Sequence, residues 1–90
     1  MRNAEVLVAD LEARLRPLEI ALAEAWWESN TRSSPEAEAK RTRAELARRE
    51  LLGDETLFAE LRAARHEPTD DPMLARQLEL LHDAFVPHQI

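Results

Sequence analysis

The feature that most constrains this fold is a long predicted helix near the start of the chain, apolar on two opposite sides. Apolar residues recur at the three- and four-residue steps of an α-helix: Ala4, Leu7, Leu11, Leu15, Leu18, Leu22, Ala25 and Trp26. At 100° per residue, a second set projects nearly opposite: Val6, Ala9, Ala13, Ile20 and Trp27. Arg16 and Glu24 interrupt the second set, which is therefore the weaker surface. Such a helix is expected to lie between two layers, or between its own domain and a partner.

Two adjacent tryptophans lie near the end of this helix. Trp26 and Trp27 are consecutive, so their side chains point about 100° apart and cannot enter one core together. One interpretation places Trp26 in the core and Trp27 over a helix junction. The other makes the pair an aromatic platform for a ligand or partner. Burial of the tryptophans against protein, within the chain or across an interface, is favoured over a small-molecule site.

Pro17 falls inside the same pattern. It cannot donate a hydrogen bond to the carbonyl of Ala13, and its ring crowds that turn, so the helix either kinks or restarts there. The leucine stripe keeps its phase across the proline. The pattern therefore predicts one kinked helix over about residues 3–29.

Capping signals divide the remaining chain into three shorter helices. Ser33 or Ser34 can cap a helix over 35–52, and Gly53 can end that helix in the left-handed conformation. Asp54 can cap a helix over 55–66, and Asp71 precedes the proline that opens a helix over 72–86. Their inward residues are expected to be Ala37, Ala44, Ala47 and Leu51, then Leu57, Phe58, Leu61 and Ala64, then Leu74, Leu78, Leu81 and Phe85. Met73, Leu80 and Ala84 form another apolar side of the last helix.

These elements predict an all-α fold in which residues 1–90 form one unit of three to four antiparallel helices. Dimerisation is one way to cover the second apolar sides. The chain has 90 residues, no cysteine and a formal charge of −6, which excludes disulfides and argues against nonspecific binding to nucleic acid or anionic membranes. The first ten residues are too polar for a secretory signal, and no apolar run is long enough to span a membrane. We therefore expect a cytoplasmic protein.

A zinc-peptidase motif begins in the chain but is not completed. The motif His-Glu-x-x-His places two histidines on one helical face, with the glutamate as general base. His66 and Glu67 begin it, but Pro68 breaks the helix and Asp70 stands where the second histidine belongs. We interpret this match as chance, so no catalytic or metal-binding residue is assigned and no cofactor is expected in this chain.

The other two histidines offer no clear chemistry either. His82 and His88 are six residues apart with a proline between them, so they do not share a helical face. Both are interpreted as surface residues rather than metal ligands. His82 is followed by Asp83, but neighbours in a helix point in different directions, which argues against a catalytic pair.

One basic cluster offers an alternative function. It consists of Lys40, Arg41, Arg43, Arg48 and Arg49. A nucleic-acid-associated protein could contact phosphates with such a helix. Four glutamates of the same helix balance the cluster, which is typical of a solvated helix face with internal ion pairs: Glu36, Glu38, Glu45 and Glu50. Given the overall acidity, we favour the second interpretation.

Three stretches, in this order, resemble the amino-terminal helices of bacterial zinc oligopeptidases of the thimet-oligopeptidase and oligoendopeptidase type, together with the angiotensin-converting-enzyme type. They are LEIALAEAWWESNT (18–31), LLGDETLFAELRAAR (51–65) and DDPMLARQLELLHDAFVPHQ (70–89). The first resembles the end of the family's first long helix, where an aromatic pair precedes a polar turn. The other two resemble its D-x-x-L-F-x-x-L segment and its Asp-Pro-(x)-Leu-Ala-Arg-Gln-Leu helix.

The resemblance implies a lid segment rather than an enzyme. In that family the amino-terminal helices roof a substrate groove and exclude large folded substrates, while the zinc ligands and the catalytic glutamate belong to a later helix. This chain lacks that helix, so the resemblance implies no hydrolysis by the chain alone and zinc only in the full-length family. The matching lid positions are Trp26, Trp27, Asn30, Leu57, Phe58, Arg76, Gln77 and Leu78.

The first function predicted is therefore a substrate-access lid whose partner is a missing peptidase body. The alternative is a stand-alone helical interaction protein that forms a homodimer or binds a partner helix, and the second alternative is the nucleic-acid-associated protein. The candidate packing or interface residues are Val6, Ala13, Ile20, Trp26, Trp27, Leu78, Leu80 and Phe85.

Overall fold

The described part of the chain, residues 3–89, is helical without a strand in the computed structural model. The helices are α1 (Ala4–Thr31), α2 (Pro35–Leu52), α3 (Glu55–Arg65) and α4 (Pro72–Phe85), followed by a short 3-10 helix (Val86–His88). The all-α prediction is confirmed. Each observed helix end lies within two residues of the end that the sequence predicts.

Helix α1 continues through its internal proline. Asn3 begins it, since its side-chain oxygen accepts a hydrogen bond from the Val6 N–H at 2.9 Å. Pro17 lies near the middle of the 28 residues, and the helix does not restart there. The outcome agrees with the prediction of one helix, because side chains on both sides of the proline keep the same helical phase.

The other helices begin at capping side chains. The hydroxyl of Ser34, rather than that of Ser33, accepts from the Ala37 N–H at 3.1 Å. A carboxylate oxygen of Asp54 accepts from the third residue of α3 at 2.9 Å, and one of Asp71 accepts two N–H groups of α4. Each cap satisfies donors that the first turn of a helix leaves free.

The prediction of a left-handed conformation at Gly53 is wrong. Its φ of −88° and ψ of −1° lie in the right-handed region, and its N–H donates to the Arg49 carbonyl at 2.9 Å. A β-carbon at this position would lie 3.1 Å from the Arg49 carbonyl oxygen and 3.6 Å from that of His88. A close approach of backbone, not a positive φ, is what glycine accommodates here.

The core lies around the first half of α1, where α3, α4 and the end of α2 surround it. Its buried members are Leu7, Val8, Leu11, Leu52, Leu57, Leu61, Ala64, Leu74, Leu78, Leu81 and Phe85. The inward residues expected of α3 and α4 are confirmed, with Phe58 partly buried against this cluster. For α2 the prediction was incomplete: Leu52, which was not expected inside, is fully buried, whereas Leu51 is only half-buried.

The second half of α1 packs mainly against α2. Ala25 and Ser29 of α1 and Ala37 of α2 are buried outside the main core. Two ion pairs join the same helices, Glu28 with Lys40 at 3.0 Å and Glu19 with Arg48 at 2.7 Å. Along these contacts, residue numbers rise in α2 as they fall in α1. The molecule is elongated, with extents of 49 × 26 × 17 Å.

Candidate interaction surface

Trp26 lies at the edge of the contact between α1 and α2, not in the core. Its side chain is 42% exposed, and the guanidinium of Arg41 covers its ring at 4.5 Å from the centroid. Placing Trp26 in the core was therefore wrong. Its neighbour Ala25 is fully buried, so the helical phase turns the indole towards the edge of the contact, beside Arg41 of α2.

Trp27 points into solvent. It is 72% exposed and covers no helix junction, contrary to the first interpretation of the tryptophan pair. Its carbonyl accepts a hydrogen bond from the Thr31 hydroxyl at 2.9 Å. The two indoles thus diverge, as adjacent helical side chains must.

The second apolar side of α1 is exposed along the helix. We call it the outer face, and it consists of Val6, Ala9, Ala13, Ile20 and Trp27. Val6 and Ile20 are each about half exposed, at 51% and 52%. The outer face lies opposite the buried Leu7, Leu11 and Ala25, which is the arrangement that the two periodic sets predict.

A shallow groove of about 660 Å³ runs along the middle of the outer face. Its apolar lining is Ala13, Pro17, Ile20 and Ala21, and its charged residues are Glu12, Arg16 and Glu24. A small residue, a proline and an isoleucine leave a depression that a side chain from another molecule can enter. The groove is open along its length, and its walls come from α1 alone.

A second groove of about 360 Å³ adjoins the first between α1 and α4. Leu80 and Ala84 of α4 line it, and Arg16 belongs to both grooves. A hydrogen bond at 3.3 Å from the Gln77 amide to the Glu12 carboxylate joins the two helices at its wall. The apolar surface of α1 therefore continues onto α4, where Leu80 is more than half exposed.

The remaining interface candidates divide into buried and exposed residues. Leu78 and Phe85 are buried in the core and serve packing within the chain. Val6, Ala13, Ile20, Trp27 and Leu80 are exposed.

The lid-match positions are spread over separate parts of the fold. Asn30 is exposed in the last turn of α1, Arg76 is exposed on α4, and Gln77 faces the α1–α4 groove. Phe58 lies against the core, with its ring 6.5 Å from that of Phe85. The fold therefore does not gather these side chains into one site.

The interpretation of His82 as a surface residue was wrong. Its side chain is only 14% exposed, and its ring stacks on Phe58 with centroids 5.3 Å apart. Its Nε2 lies 3.4 Å from an Arg65 nitrogen, and its Nδ1 lies 3.7 Å from an Asp83 oxygen. The missed signal was its position four residues after the buried Leu78, which places it beside the core stripe of α4.

The described residues hold no cluster suited to a metal ion. Within residues 3–89, no three histidine, aspartate or glutamate side chains lie together in that way. His66 is exposed directly after the end of α3, and His82 lies in the last turn of α4.

The basic cluster on α2 is largely engaged in ion pairs. Arg41 pairs with Glu38 at 2.7 Å, while Lys40 and Arg48 pair with the α1 carboxylates described above. Three of its five cations thus face acidic side chains, and the ion pairs of Lys40 and Arg48 join α2 to α1. This arrangement favours the interpretation as a solvated, internally paired face.

One surface ion pair joins α3 to α4. Arg65 donates a hydrogen bond to Glu79 at 2.6 Å, and this bond lowers the pKa of the Glu79 carboxyl below its ordinary value. The same bond raises the pKa of the Arg65 guanidinium. Glu79 therefore remains an anion, and the pair an attractive contact, over a wider pH range than a free carboxyl would allow.

No protein-family model, curated protein or solved structure matches this chain. The likeness to the zinc oligopeptidases therefore stays a prediction from the sequence. Among the described residues, no helix is both long enough and apolar enough to cross a lipid bilayer.

Proposed function

We propose that the chain is a helical interaction module that associates with a second copy of itself through the outer face of α1. The observation that carries this proposal is the exposed stripe from Val6 to Trp27 on the side of α1 opposite the core. An apolar stripe of this length, interrupted only at Arg16 and Glu24, is costly to leave in water and marks an association surface.

The size of the exposed surface supports the proposal. The chain exposes 6279 Å², whereas a globular monomer of 10.3 kDa exposes about 5,400 Å². The excess of about 900 Å² follows from the elongated shape, and a standard interface, which buries roughly 800 Å² on each partner, is large enough to offset it. The radius of gyration of 15.3 Å also exceeds the roughly 12 Å of a compact 90-residue domain. A second molecule along α1 would make the assembly more compact.

A lid in a zinc oligopeptidase is a second candidate, and the apolar side of α4 favours it. Met73 and Leu80 are strongly exposed, and a partner seated only on the outer face of α1 leaves Met73 uncovered. In the lid function, a peptidase body would cover both surfaces. Binding of nucleic acid by α2 ranks below these two proposals, because the ion pairs of Lys40, Arg41 and Arg48 occupy most of its cations.

Sedimentation equilibrium of the purified chain tests self-association. We expect a mass of twice 10.3 kDa at micromolar concentration, falling towards the monomer on dilution. Trp27→Ala is expected to weaken association while leaving the helical circular dichroism unchanged, because this side chain touches little of its own chain. A stable monomer throughout the micromolar range would overturn the proposal.

Leu46→Ala is the matched control for the tryptophan variant. Leu46 is also a large, exposed apolar residue, but it lies on α2. It should leave the dimer unaffected. If Trp27→Ala and Leu46→Ala weakened association equally, the interface would not be specific to the outer face. If Trp27→Ala lowered helicity and association together, Trp27 would serve folding rather than association.

A further inference from the structure

Two opposite charges interrupt the outer face at equal distances from Ile20. Arg16 lies four residues before Ile20 and Glu24 lies four residues after it, and all three line the same groove. The two charged residues are eight positions apart, about 12 Å along the axis, which keeps them from pairing with each other. Neither takes part in any of the ion pairs found within residues 3–89.

From this symmetry we infer that the second copy packs antiparallel on α1, with Ile20 on the two-fold axis. The inference rests on the self-association proposed above and specifies its register. In this arrangement, each residue at position i is level with position 40 − i of the second copy. Arg16 of each copy is then level with Glu24 of the other, so two equivalent ion pairs form across the interface. A parallel, in-register pair would instead bring Arg16 beside Arg16, which like-charge repulsion disfavours.

Side-chain size agrees with the same register. Ala13 and Trp27 each lie seven residues from Ile20, about 10.5 Å along the helix, so each becomes level with the other in the second copy. The most exposed indole of the chain would then lie over the groove floor beside Ala13 and Pro17. A large side chain opposite a small one fills space that two equal residues would either leave empty or overfill.

The spacing of the outer face suits contact between two helices over several turns. Val6, Ala13, Ile20 and Trp27 follow one another at intervals of seven residues. In this register Ala13, Ile20 and Trp27 face α1 of the second copy, whereas Val6 is level with residue 34, beyond the end of that helix. A seven-residue repeat keeps a seam facing its partner when two helices wrap around each other with a left-handed twist. Helices packed in this way lie about 8–10 Å apart and cross at about 20°. At that separation, Ile20 can contact its own symmetry mate.

Disulfide cross-linking measures the register directly, because the chain contains no cysteine. Ile20→Cys should form a covalent dimer under mild oxidation, since the axis brings the two β-carbons within disulfide reach. Ala13→Cys is the control, because in this register its own symmetry mate lies about 21 Å away along the axis. Equal or faster cross-linking of Ala13→Cys would overturn the register. A dimer by sedimentation without Ile20→Cys cross-links would overturn it too, while leaving self-association intact.

Charge reversal provides an independent test. Arg16→Glu or Glu24→Arg alone places like charges together twice and should raise the dimer Kd by about tenfold. The double variant Arg16→Glu/Glu24→Arg exchanges the two partners and should restore the wild-type Kd. Arg43→Glu changes the net charge equally at an exposed site on α2 and should change the Kd little. Failure of the double variant to recover would overturn the pairing, whereas a monomeric wild type would overturn the proposed function itself.

Discussion

The guanidinium of Arg41 lies 4.5 Å from the centroid of the Trp26 ring and joins α2 to α1. The same arginine pairs with Glu38 at 2.7 Å, and its side chain is 28% exposed. One face of the indole is therefore covered by a cation rather than by apolar side chains. The contact explains how a tryptophan outside the core still contributes to packing between these helices.

Arg41→Ala is expected to lower the free energy of unfolding by about 1 kcal/mol, through loss of the cation–π contact and of the cover over the indole. Urea denaturation followed by circular dichroism measures the change. Arg43→Ala is the control, because Arg43 is an exposed arginine of the same helix, and it should change stability by less than about 0.5 kcal/mol. Equal changes in the two variants would mean that the Trp26 contact contributes nothing.

The Arg65–Glu79 ion pair should make the free energy of unfolding decrease as the pH falls into the acid range. Because the hydrogen bond from Arg65 lowers the pKa of Glu79 below its ordinary 4.5, the folded state holds this carboxyl ionised more strongly than the unfolded state does. The resulting stability is fully present above the ordinary pKa and is lost as the pH falls through the lowered one. Wild type should therefore exceed Glu79→Gln in stability at neutral pH, and the difference should shrink in acid.

Thermal unfolding of both proteins across that pH range measures the difference. Glu67→Gln is the control, because Glu67 is an exposed carboxylate just beyond the end of α3 and takes part in none of the ion pairs found within residues 3–89, so this variant should show a smaller dependence on pH. A gap between wild type and Glu79→Gln that stayed constant into strong acid would contradict the role assigned to the ion pair.

Gly53→Ala should be tolerated. At a left-handed helix end, alanine costs roughly 1–2 kcal/mol. Gly53 instead has a φ that alanine adopts readily, so alanine should stabilise the protein by restricting the unfolded chain. The Arg49 carbonyl, which would lie 3.1 Å from the new β-carbon, opposes this gain. We expect the free energy of unfolding to change by less than about 1 kcal/mol in urea denaturation. A larger loss would mean that the carbonyls of Arg49 and His88 cannot move aside.

The positions of the helices could be predicted from the sequence, because the side chains that start a helix lie within a few residues of the groups they bond. Ser34, Asp54 and Asp71 each accept a hydrogen bond from an N–H two or three residues ahead, so the cap and its donor lie within one short stretch of sequence. The phase of the leucine stripe likewise indicated that α1 continues through Pro17.

Part of the candidate surface could also be predicted from the sequence. Periodicity placed Val6, Ile20 and Trp27 opposite the core side of α1, where the structure has them exposed. The sequence pattern does not identify what covers these residues, because helical periodicity indicates only the direction in which a side chain points. The equal spacing of Arg16 and Glu24 from Ile20 bears on self-association only because the structure leaves the outer face exposed.

The sequence by itself determined where the helices begin and end and which sides of them are apolar, since these depend on hydrogen bonds and spacings within a few residues. Tertiary structure alone decided the environments of Trp26 and His82. Arg41 of α2 covers the indole, and Phe58 of α3 stacks on the imidazole. In both cases the deciding group belongs to another segment of the chain, and its distance is set by how the helices pack.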